Sequence, residues 1–337
     1  MVVVENKKIV IKVALIGDLC LDIFLQIPAY PEKGGDGLAE KMVKQTGGSA
    51  SNTAVALAHL GCEPRLITHT GNDLWAQQIL ATLVGEGVII DQVVREENES
   101  TGITFLAVTP DGERTMFTYR GANALLNPSE ITPETFADIS MLHLSGYACL
   151  TRPQSDAVMK AVEIAGEKGI GITLDIGVEP AYKMGDALIR MLPKLTLLIL
   201  GESEACTIAA TRSVSDAVNF LVDHGVKIVG LKQGKNGCQL TTREKQVHIP
   251  GFKVKTVDTT GAGDAFTAAM IFGLSQKWSL ETTGLLANAM GGLAATRWGA
   301  GAALPGKQEI IQFLSTEKNQ TRENKTRIQE LIKRLQD

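Results

Sequence analysis

The sequence predicts an α/β protein with a three-layer, doubly wound and mostly parallel sheet, to which a small β lid is added. Two observations predict this class. Short β-rich runs alternate with helical runs through most of the chain. Several of the strand runs, such as LTLLIL and KIVGLK, are apolar on both faces, as expected of parallel strands that are covered by helices on each side.

The alternation predicts the individual elements in order. Strands are expected over residues 9–16, 65–70, 141–145, 171–176, 195–200 and 227–232. Helices are expected over residues 51–60, 76–86, 154–168 and 215–224, and an apolar helix over 265–274. The 337 residues, 44% hydrophobic and 21% charged, suit one large globular domain or one domain with an appendage.

Two segments interrupt this alternation. Residues 22–46 and 100–120 have alternating or extended patterns, and the second segment contains the turn sequence Pro110-Asp111-Gly112. We expect these segments to form a small β lid that lies outside the sandwich and covers the substrate. The body to which they belong is expected to span residues 1–316.

The chain ends in a segment of different composition, residues 317–337, which is mostly charged or amide. Ile328, Leu331, Ile332 and Leu335 recur in it at helical spacing, which predicts an amphipathic helix. We expect this helix to pack on the body or on a partner subunit. The mixed charge of its polar face argues against a helix that lies on a membrane.

Composition excludes several classes of partner. A net charge of −4 at pH 7, with no block of Lys or Arg, argues against nucleic-acid binding. No stretch approaches the roughly 20 apolar residues of a membrane span. The cysteines are scattered, odd in number and without a C-x-x-C pair, which favours reduced core residues over disulfides or a zinc site: Cys20, Cys62, Cys149, Cys206 and Cys238. We therefore expect a cytoplasmic protein.

The stretch from Asp258 to Phe266, DTTGAGDAF, indicates the clearest chemistry. Gly261 and Gly263 remove side chains where a ligand must approach the main chain, and the apolar helix that follows has free N–H groups in its first turn. Such a helix end holds an anion, most naturally a phosphate. Asp264 lies where it can accept a proton from a hydroxyl that attacks this phosphate, which predicts phosphoryl transfer to an alcohol. The alternative is a glycine-rich turn with a helix cap.

A second cluster, GGSASNTA, precedes the first predicted helix. Gly48 permits close backbone approach, and Asn52 offers an amide that both donates to and accepts from hydroxyls. Asp18 and Asp22 follow the first strand, where ligands sit in open α/β sheets, and carboxylates there suit recognition of paired hydroxyls. The alternatives are a helix cap for the glycine cluster and a turn cap for Asp18.

These motifs together resemble those of the ribokinase-like (PfkB) carbohydrate kinases. VDTTGAGDAF is similar to the C-terminal signature of that family, and GGSASN is similar to its sugar-binding Gly-Gly-x-x-x-Asn stretch. The resemblance spans roughly residues 9–314 and implies a ribokinase-like fold. It also implies roles for single residues: Asp264 as general base, an anion hole made by the amides of Gly261, Ala262 and Gly263, and acceptor binding by Asp18, Asp22, Gly48 and Asn52.

The sequence LKQGKNG resembles the nucleotide loop of the family. The resemblance implies nucleotide binding by Lys232, Gly234, Gly237, Gly263 and Asn288. Lys232 stands where the family usually has a small hydroxyl residue, and a loop lysine is by default a solvated charge. Asn288 equally suits a core residue that makes hydrogen bonds.

The sequence GESEA resembles the Asn-x-x-Glu element of the family, in which the glutamate organises Mg²⁺ through water. Glu204 is retained here, whereas Gly201 replaces the asparagine, and Glu204 equally suits a first-turn residue that complements a helix dipole. Mg²⁺ is expected of any ATP-dependent phosphoryl transfer. The resemblance also allows a K⁺ site, formed by oxygens of Asp258, Thr260 and Gly299.

The residues and the resemblance together predict an ATP-dependent kinase that transfers the γ-phosphate to a hydroxyl of a small sugar or sugar acid. Two alternatives stay open. One is a nucleoside kinase. The other is a non-catalytic member that binds sugar or nucleotide, which is suggested by the differences from the family pattern at Gly201 and Lys232. Ser49 and Ser145 stand where members carry a lysine or a sugar-contacting glutamate, so ribose is not assured. The lids of the family imply a homodimer.

Overall fold

The structure is a computed structural model that describes residues 10–110, 114–316 and 322–336. In chain order its strands are β1 (Lys12–Ile16), β2 (Cys20–Gln26), β3 (Lys41–Gly47), β4 (Glu63–Gly71), β5 (Ile89–Glu96), β6 (Gly102–Val108), β7 (Arg114–Tyr119), β8 (Met141–Ser145), β9 (Gly171–Asp175), β10 (Leu197–Gly201), β11 (Ile228–Lys232), β12 (Cys238–Thr241) and β13 (Gln246–Ile249). Its α-helices are α1 (Ser49–His59), α2 (Leu74–Gly85), α3 (Gln154–Glu167), α4 (Val178–Lys183), α5 (Asp186–Met191), α6 (Glu202–Ile208), α7 (Val214–Asp223), α8 (Ala262–Ser275), α9 (Leu280–Ala294), α10 (Lys307–Thr316) and α11 (Arg322–Gln336).

The larger sheet has the strand order β13-β12-β11-β10-β9-β8-β1-β4-β5. Neighbours from β5 through β11 are parallel, and β12 and β13 add an antiparallel edge. The chain builds from β1 to β4 and β5 on one side, and from β8 to β9, β10 and β11 on the other. The strand order therefore reverses between β1 and β8, and open sheets bind ligands at the carboxyl ends of strands beside such a point. The predicted doubly wound α/β fold is confirmed.

Strand β1 explains why the sheet is covered on both faces. Side chains alternate along a strand, so Val13 and Leu15 join the core formed with α1, α8 and α9, whereas Ala14 and Ile16 join the core formed with α3. All four side chains are fully buried. Burying apolar surface stabilises the fold by about 25 cal/mol for each Å². Because both faces of β1 are apolar, the strand is most stable at the centre of the sandwich, covered on each side.

Strands β2, β3, β6 and β7 form a separate small sheet in the order β3-β2-β6-β7. It consists of the two segments predicted to lie outside the sandwich, although the turn at residues 110–112 falls partly outside the described residues. Asp22 and Thr104 are in register and are buried on the side of the body. Phe105 and Phe117, also in register, face away from the body with exposed fractions of 45% and 66%.

Helix α11 packs against α9 and α10. Ile328, Leu331 and Leu335 of its apolar stripe are buried in the core beside these helices. Residues 317–321 and 337, which complete the predicted terminal segment, lie outside the described residues. No helix in the described part of the chain is both long enough and apolar enough to cross a bilayer.

Candidate active site

Two cavities lie at the amino end of α8, beside the point where the strand order reverses. The inner cavity, of about 200 Å³, is walled by the small sheet on one side and by the ends of β8 and α1 on the other. The outer cavity, of about 690 Å³, is walled by the loops after β11 and β13 and by α9. Gly261 and Asp264 line the inner cavity, whereas Ala262 and Gly263 line the outer cavity. The first turn of α8 therefore separates the two.

The residues of the predicted anion hole lie at the start of α8. Gly261 caps the helix with φ +73°, and a Cβ there would lie 2.7 Å from the Cβ of Ala300, so glycine is required. The amide of Ala262, one of the three predicted donors, donates to a carbonyl oxygen in the preceding turn at 3.2 Å. In the described ranges the amides of Gly263 and Asp264 donate to no protein acceptor. These two donors face the cavities and leave a positive helix end for an anion.

Helix α1 holds the carboxylate of Asp264 in place. The Ser49 hydroxyl donates to its Oδ1 and the Asn52 amide to its Oδ2, each at 2.8 Å. Asn52 Oδ1 in turn accepts from the amide of Gly301 at 3.1 Å, which fixes the orientation of the Asn52 side chain. Burial raises the pKa of Asp264 to about 6, against the hydrogen bond from Asn52, which lowers it. Asp264 is thus a fixed carboxylate suited to accept a proton near neutral pH.

Asp22 lies in the same cavity, at the small-sheet wall. Its carboxylate packs against Gly47, where an added Cβ would lie 2.0 Å from the carboxylate. The pKa of Asp22 is raised to about 7, mainly by burial; the hydrogen bond with Thr104 lowers it and the charge of Asp264 adds to the rise. Gly48 has φ +96°, and a Cβ there would meet a backbone oxygen at 2.2 Å. Two successive glycines are therefore needed to bring β3 and α1 against this wall.

Asp18 is already paired with a cation. Arg120 donates from Nε to Asp18 Oδ2 at 2.7 Å and from Nη2 to Oδ1 at 2.6 Å, a bidentate ion pair. The same guanidinium also donates to the side chain of Gln154. Asp18 therefore lines the inner cavity as one half of an ion pair. The sequence analysis predicted either a sugar-binding residue or a turn cap for Asp18, and not this ion pair.

Lys232 is not a solvated lysine. It ends β11, and its Nζ donates to Asp175 Oδ1 at 2.8 Å and to Oδ2 at 3.1 Å, while the Thr267 hydroxyl of α8 donates to Asp175 Oδ2 at 2.7 Å. An added Cβ on Gly263 would lie 3.6 Å from Lys232 Nζ. The ammonium group therefore stands beside the first turn of α8, in the wall of the outer cavity.

The other predicted nucleotide-side residues also line the outer cavity. Gly234 and Gly237 have φ +54° and +94°, and a Cβ on Gly237 would lie 2.1 Å from the carbonyl oxygen of Ile249. Asn288 donates from Nδ2 to the backbone oxygens of Ile249 at 2.8 Å and Pro250 at 3.2 Å. Asn288 thus makes core hydrogen bonds and also borders the cavity, and its contact with the nucleotide stays a prediction.

The predicted metal-associated residues make hydrogen bonds to neighbouring protein groups. Glu204 Oε2 accepts from the amide of Gly201 at 2.5 Å, which caps α6, and Oε1 is not part of that bond. Asp258 Oδ1 accepts from the amide and hydroxyl of Thr260, and Oδ2 accepts from the amide of Gly299. The part of the chain that the structure describes contains no group of three or more acidic, His or Cys side chains that could hold a metal. Mg²⁺ is usually held by one or two carboxylates together with substrate phosphates, and this role of Glu204 stays a prediction.

Arg114 is a residue that sequence reasoning missed. It begins β7 of the small sheet and donates to the hydroxyl of Thr260, and its Nη1 lies 3.7 Å from Asp258 Oδ1. It lines both cavities. Arg120 and Asp175 were missed as well. The two arginines could have been noticed because they lie on or just after a strand of the small sheet whose other residues are hydroxyl-bearing or apolar. Asp175 ends a strand of the large sheet, and no sequence pattern marks it.

The fold and this site define an enzyme class, a phosphotransferase with an alcohol acceptor. The model of the pfkB family carbohydrate kinases matches residues 10–307. The chain is similar to fructokinase-1 of Oryza sativa subsp. japonica, with 29% identity over 307 residues, 86% of this chain and 95% of the relative. It is similar to the crystal structure of a ribokinase from Thermotoga maritima, with a TM-score of 0.81, 25% identity, and 91% and 100% of the two chains covered.

A third similar protein is the ribokinase of Arabidopsis thaliana, whose structure holds ribose and ATP. The TM-score is 0.77 and the identity 23%, over 92% of this chain and 100% of the other. The chain belongs to the pfkB family of carbohydrate kinases. The resemblance inferred from the two glycine-rich motifs is therefore confirmed.

Proposed function

We propose that the protein is an ATP-dependent kinase that transfers the γ-phosphate to a hydroxyl of a small sugar or sugar acid. One observation carries the proposal: the Asp264 carboxylate lines the inner cavity, while the adjoining amide of Gly263 lines the outer cavity. An acceptor hydroxyl and a nucleotide phosphate can thus approach the same helix end from opposite sides. The fructokinase relative and the ribokinase neighbour that holds ribose and ATP support this assignment.

The reaction follows from the roles of these groups. Asp264 accepts the proton of the acceptor hydroxyl, whose oxygen forms a bond to the γ-phosphorus as the bond to the β-phosphate oxygen breaks, and ADP leaves with that electron pair. The amides at the start of α8 and the guanidinium of Arg114 offset the charge on the transferring group. Glu204 is the residue that would hold a nucleotide-bound Mg²⁺, which would supply further charge neutralisation. The small sheet excludes water, which limits hydrolysis of ATP.

The inner cavity favours a single sugar ring as acceptor. Its 200 Å³ equals about seven water molecules at ~30 Å³ each. Carboxylate, amide and hydroxyl groups line it, among them Asp22, Asn52 and Thr104, and these groups suit an acceptor with several hydroxyls. A nucleoside is the second candidate, because its sugar ring offers hydroxyls of the same kind.

Coupled ADP release over a panel of pentoses, hexoses, sugar acids and nucleosides tests the proposal. We expect turnover of a free sugar or sugar acid, with nucleosides slower, and we propose to run the assay with K⁺ and with tetramethylammonium to test the K⁺ site at Asp258, Thr260 and Gly299. No turnover of any panel member, with nucleotide binding intact by calorimetry, would instead identify a non-catalytic binding protein.

We also propose that the protein is a homodimer formed through the outer face of the small sheet. Phe105 and Phe117 form an exposed cross-strand pair there, with Met42 also exposed, and β7 is an edge strand of the described sheet. We expect the protein to sediment as a dimer and Phe117→Glu to sediment as a monomer. Val84→Glu, an equally apolar-to-acidic change on the exposed side of α2, is the control. A monomeric parent protein would rule the dimer out.

A cytoplasmic location completes the proposal. All five cysteines are free, and three of them are buried. Free buried thiols suit a reducing compartment. Fractionation of the cells that produce the protein tests this.

A further inference from the structure

The carboxyl ends of β9 and β11 carry an ion pair, Lys232 with Asp175, to which the proposed reaction assigns no role. Lys232 on β11 reaches Asp175 on β9 across the intervening strand β10. Gly201, the residue of β10 in direct register with Lys232, has no side chain in that path. Lys232 is thus held above the end of the sheet, and its ammonium group stands beside Gly263.

We propose that Lys232 is a second catalytic group, which places a fixed positive charge against the phosphoryl group during transfer, and that Asp175 is the residue that positions it. This inference rests on the proposed function. It adds a side-chain cation on the nucleotide side of the helix end, opposite the general base on the acceptor side. Lys232 keeps its proton throughout, so the proton and electron balance of the reaction does not change.

The hydrogen bonds of Lys232 leave capacity for a ligand. A lysine ammonium has three donors, and the two bonds that Lys232 makes within the described residues both go to Asp175. Asp175 is itself held by the Thr267 hydroxyl, which belongs to the same helix whose first turn forms the anion hole. The cation and the backbone donors are therefore fixed to one element, so that little reorganisation is needed when charge develops.

Lys232 is half-buried, with 26% of its side chain exposed, and the charges around it favour its cationic form. Burial lowers the pKa of Lys232, but the hydrogen bond to Asp175 and the charges of Asp175, Glu204 and Asp264 outweigh it, so that the pKa is raised. An ion pair with a purely structural role would need no contact of Lys232 beyond the one with Asp175. Lys232 also lines the outer cavity beside Gly263, where a bound ligand can contact it.

The decisive experiment compares the affinity for ADP with that for a non-hydrolysable ATP analogue. In Lys232→Met we expect kcat to fall by about 10²-fold, the usual effect of removing one donor to a transition-state charge. The affinity for the ATP analogue should weaken about tenfold, the ADP affinity should stay within about twofold, and the KM for the sugar should change little. Lys245→Met removes an exposed lysine from a remote ion pair with Glu281 and should leave these values unchanged.

Asp175→Asn tests the positioning role. The asparagine keeps an acceptor for Thr267 but loses its negative charge, so the ratio of ATP-analogue to ADP affinity should shift in the same direction as in Lys232→Met, by a smaller factor. A melting temperature alone would not separate this role from a structural one. Unchanged affinity ratios and kcat in Lys232→Met would overturn the inference while leaving the proposed function intact. If the parent protein turns over no acceptor, the proposed function fails. An unchanged ratio of ATP-analogue to ADP affinity in Lys232→Met would then also overturn the contact between Lys232 and the γ-phosphate.

Discussion

Asp264→Asn is expected to lower kcat by about 10²–10⁴-fold, the range that a positioned general base contributes. The substitution preserves the local contacts: an asparagine Oδ1 accepts from Asn52 as before, and its Nδ2 donates to the Ser49 hydroxyl, which reverses its role. The affinity for ATP should therefore stay nearly unchanged. Steady-state kinetics with calorimetry of nucleotide binding measure both quantities. Activity within a few fold of the parent would contradict the assignment of the base.

The pH dependence of kcat/KM gives an independent check on this assignment. Only ionised Asp264 accepts a proton, and because burial raises its pKa to about 6, protonation removes the base as the pH falls through that value. Asp22 shares the cavity with a pKa raised by burial to about 7. We expect kcat/KM to decline as the pH drops below about 7 and to be largely lost well below 6. A decline that starts near pH 4, where an ordinary aspartate titrates, would contradict the role of Asp264.

Gly261→Ala is expected to damage both the fold and the site. The residue has φ +73°, which costs an alanine roughly 1–2 kcal/mol, and the added Cβ would lie 2.7 Å from the Cβ of Ala300 and 3.0 Å from Leu304 Cδ2. Overpacking of this kind costs a further 1–3 kcal/mol or so. We expect a loss of roughly 2–5 kcal/mol in the free energy of unfolding, measured by urea denaturation. Displacement of the amides should also lower kcat by about 10²-fold.

Gly169→Ala is the matched control for this prediction. Gly169 has φ +68°, in the same left-handed region, but a Cβ there would meet nothing within 4 Å. It should lose about 1–2 kcal/mol from backbone strain alone and keep its activity. Equal losses of stability in the two variants would mean that the contact with Ala300 is irrelevant.

The parallel body of the fold was predictable, except for its edge strand β5, because its central strands are apolar on both faces. Predicted strand 141–145 coincides with β8, and the helix at 154–168 differs from α3 by one residue at its end. Strand β1 starts at Lys12, later than predicted: Val10 is 44% exposed, and residue 9 lies outside the described residues. The antiparallel edge strands β12 and β13 were not predicted, since each has only four residues, too few for a clear alternation of apolar and polar side chains.

The site was predictable where glycine carries the signal and was not where charges pair. Gly48 and Gly261 require a positive φ and a close approach, which a glycine-rich motif announces. The pairing of Arg120 with Asp18, and of Lys232 with Asp175, joins residues far apart in the chain, and no local pattern specifies such partners. The roles proposed for these residues in binding and catalysis remain to be tested by the variants described above.

Arg114 has a consequence for attempts to redesign this enzyme. The arginine belongs to the small sheet, yet it bonds to Thr260 in the loop that leads into α8, and it borders both cavities. Grafting the corresponding strands from a relative to alter sugar preference would therefore also replace a charge on the phosphate side. With the role proposed for Arg114, acceptor choice and phosphate chemistry are coupled in this segment, so we expect an exchange that retains the arginine to change acceptor preference without losing phosphoryl transfer.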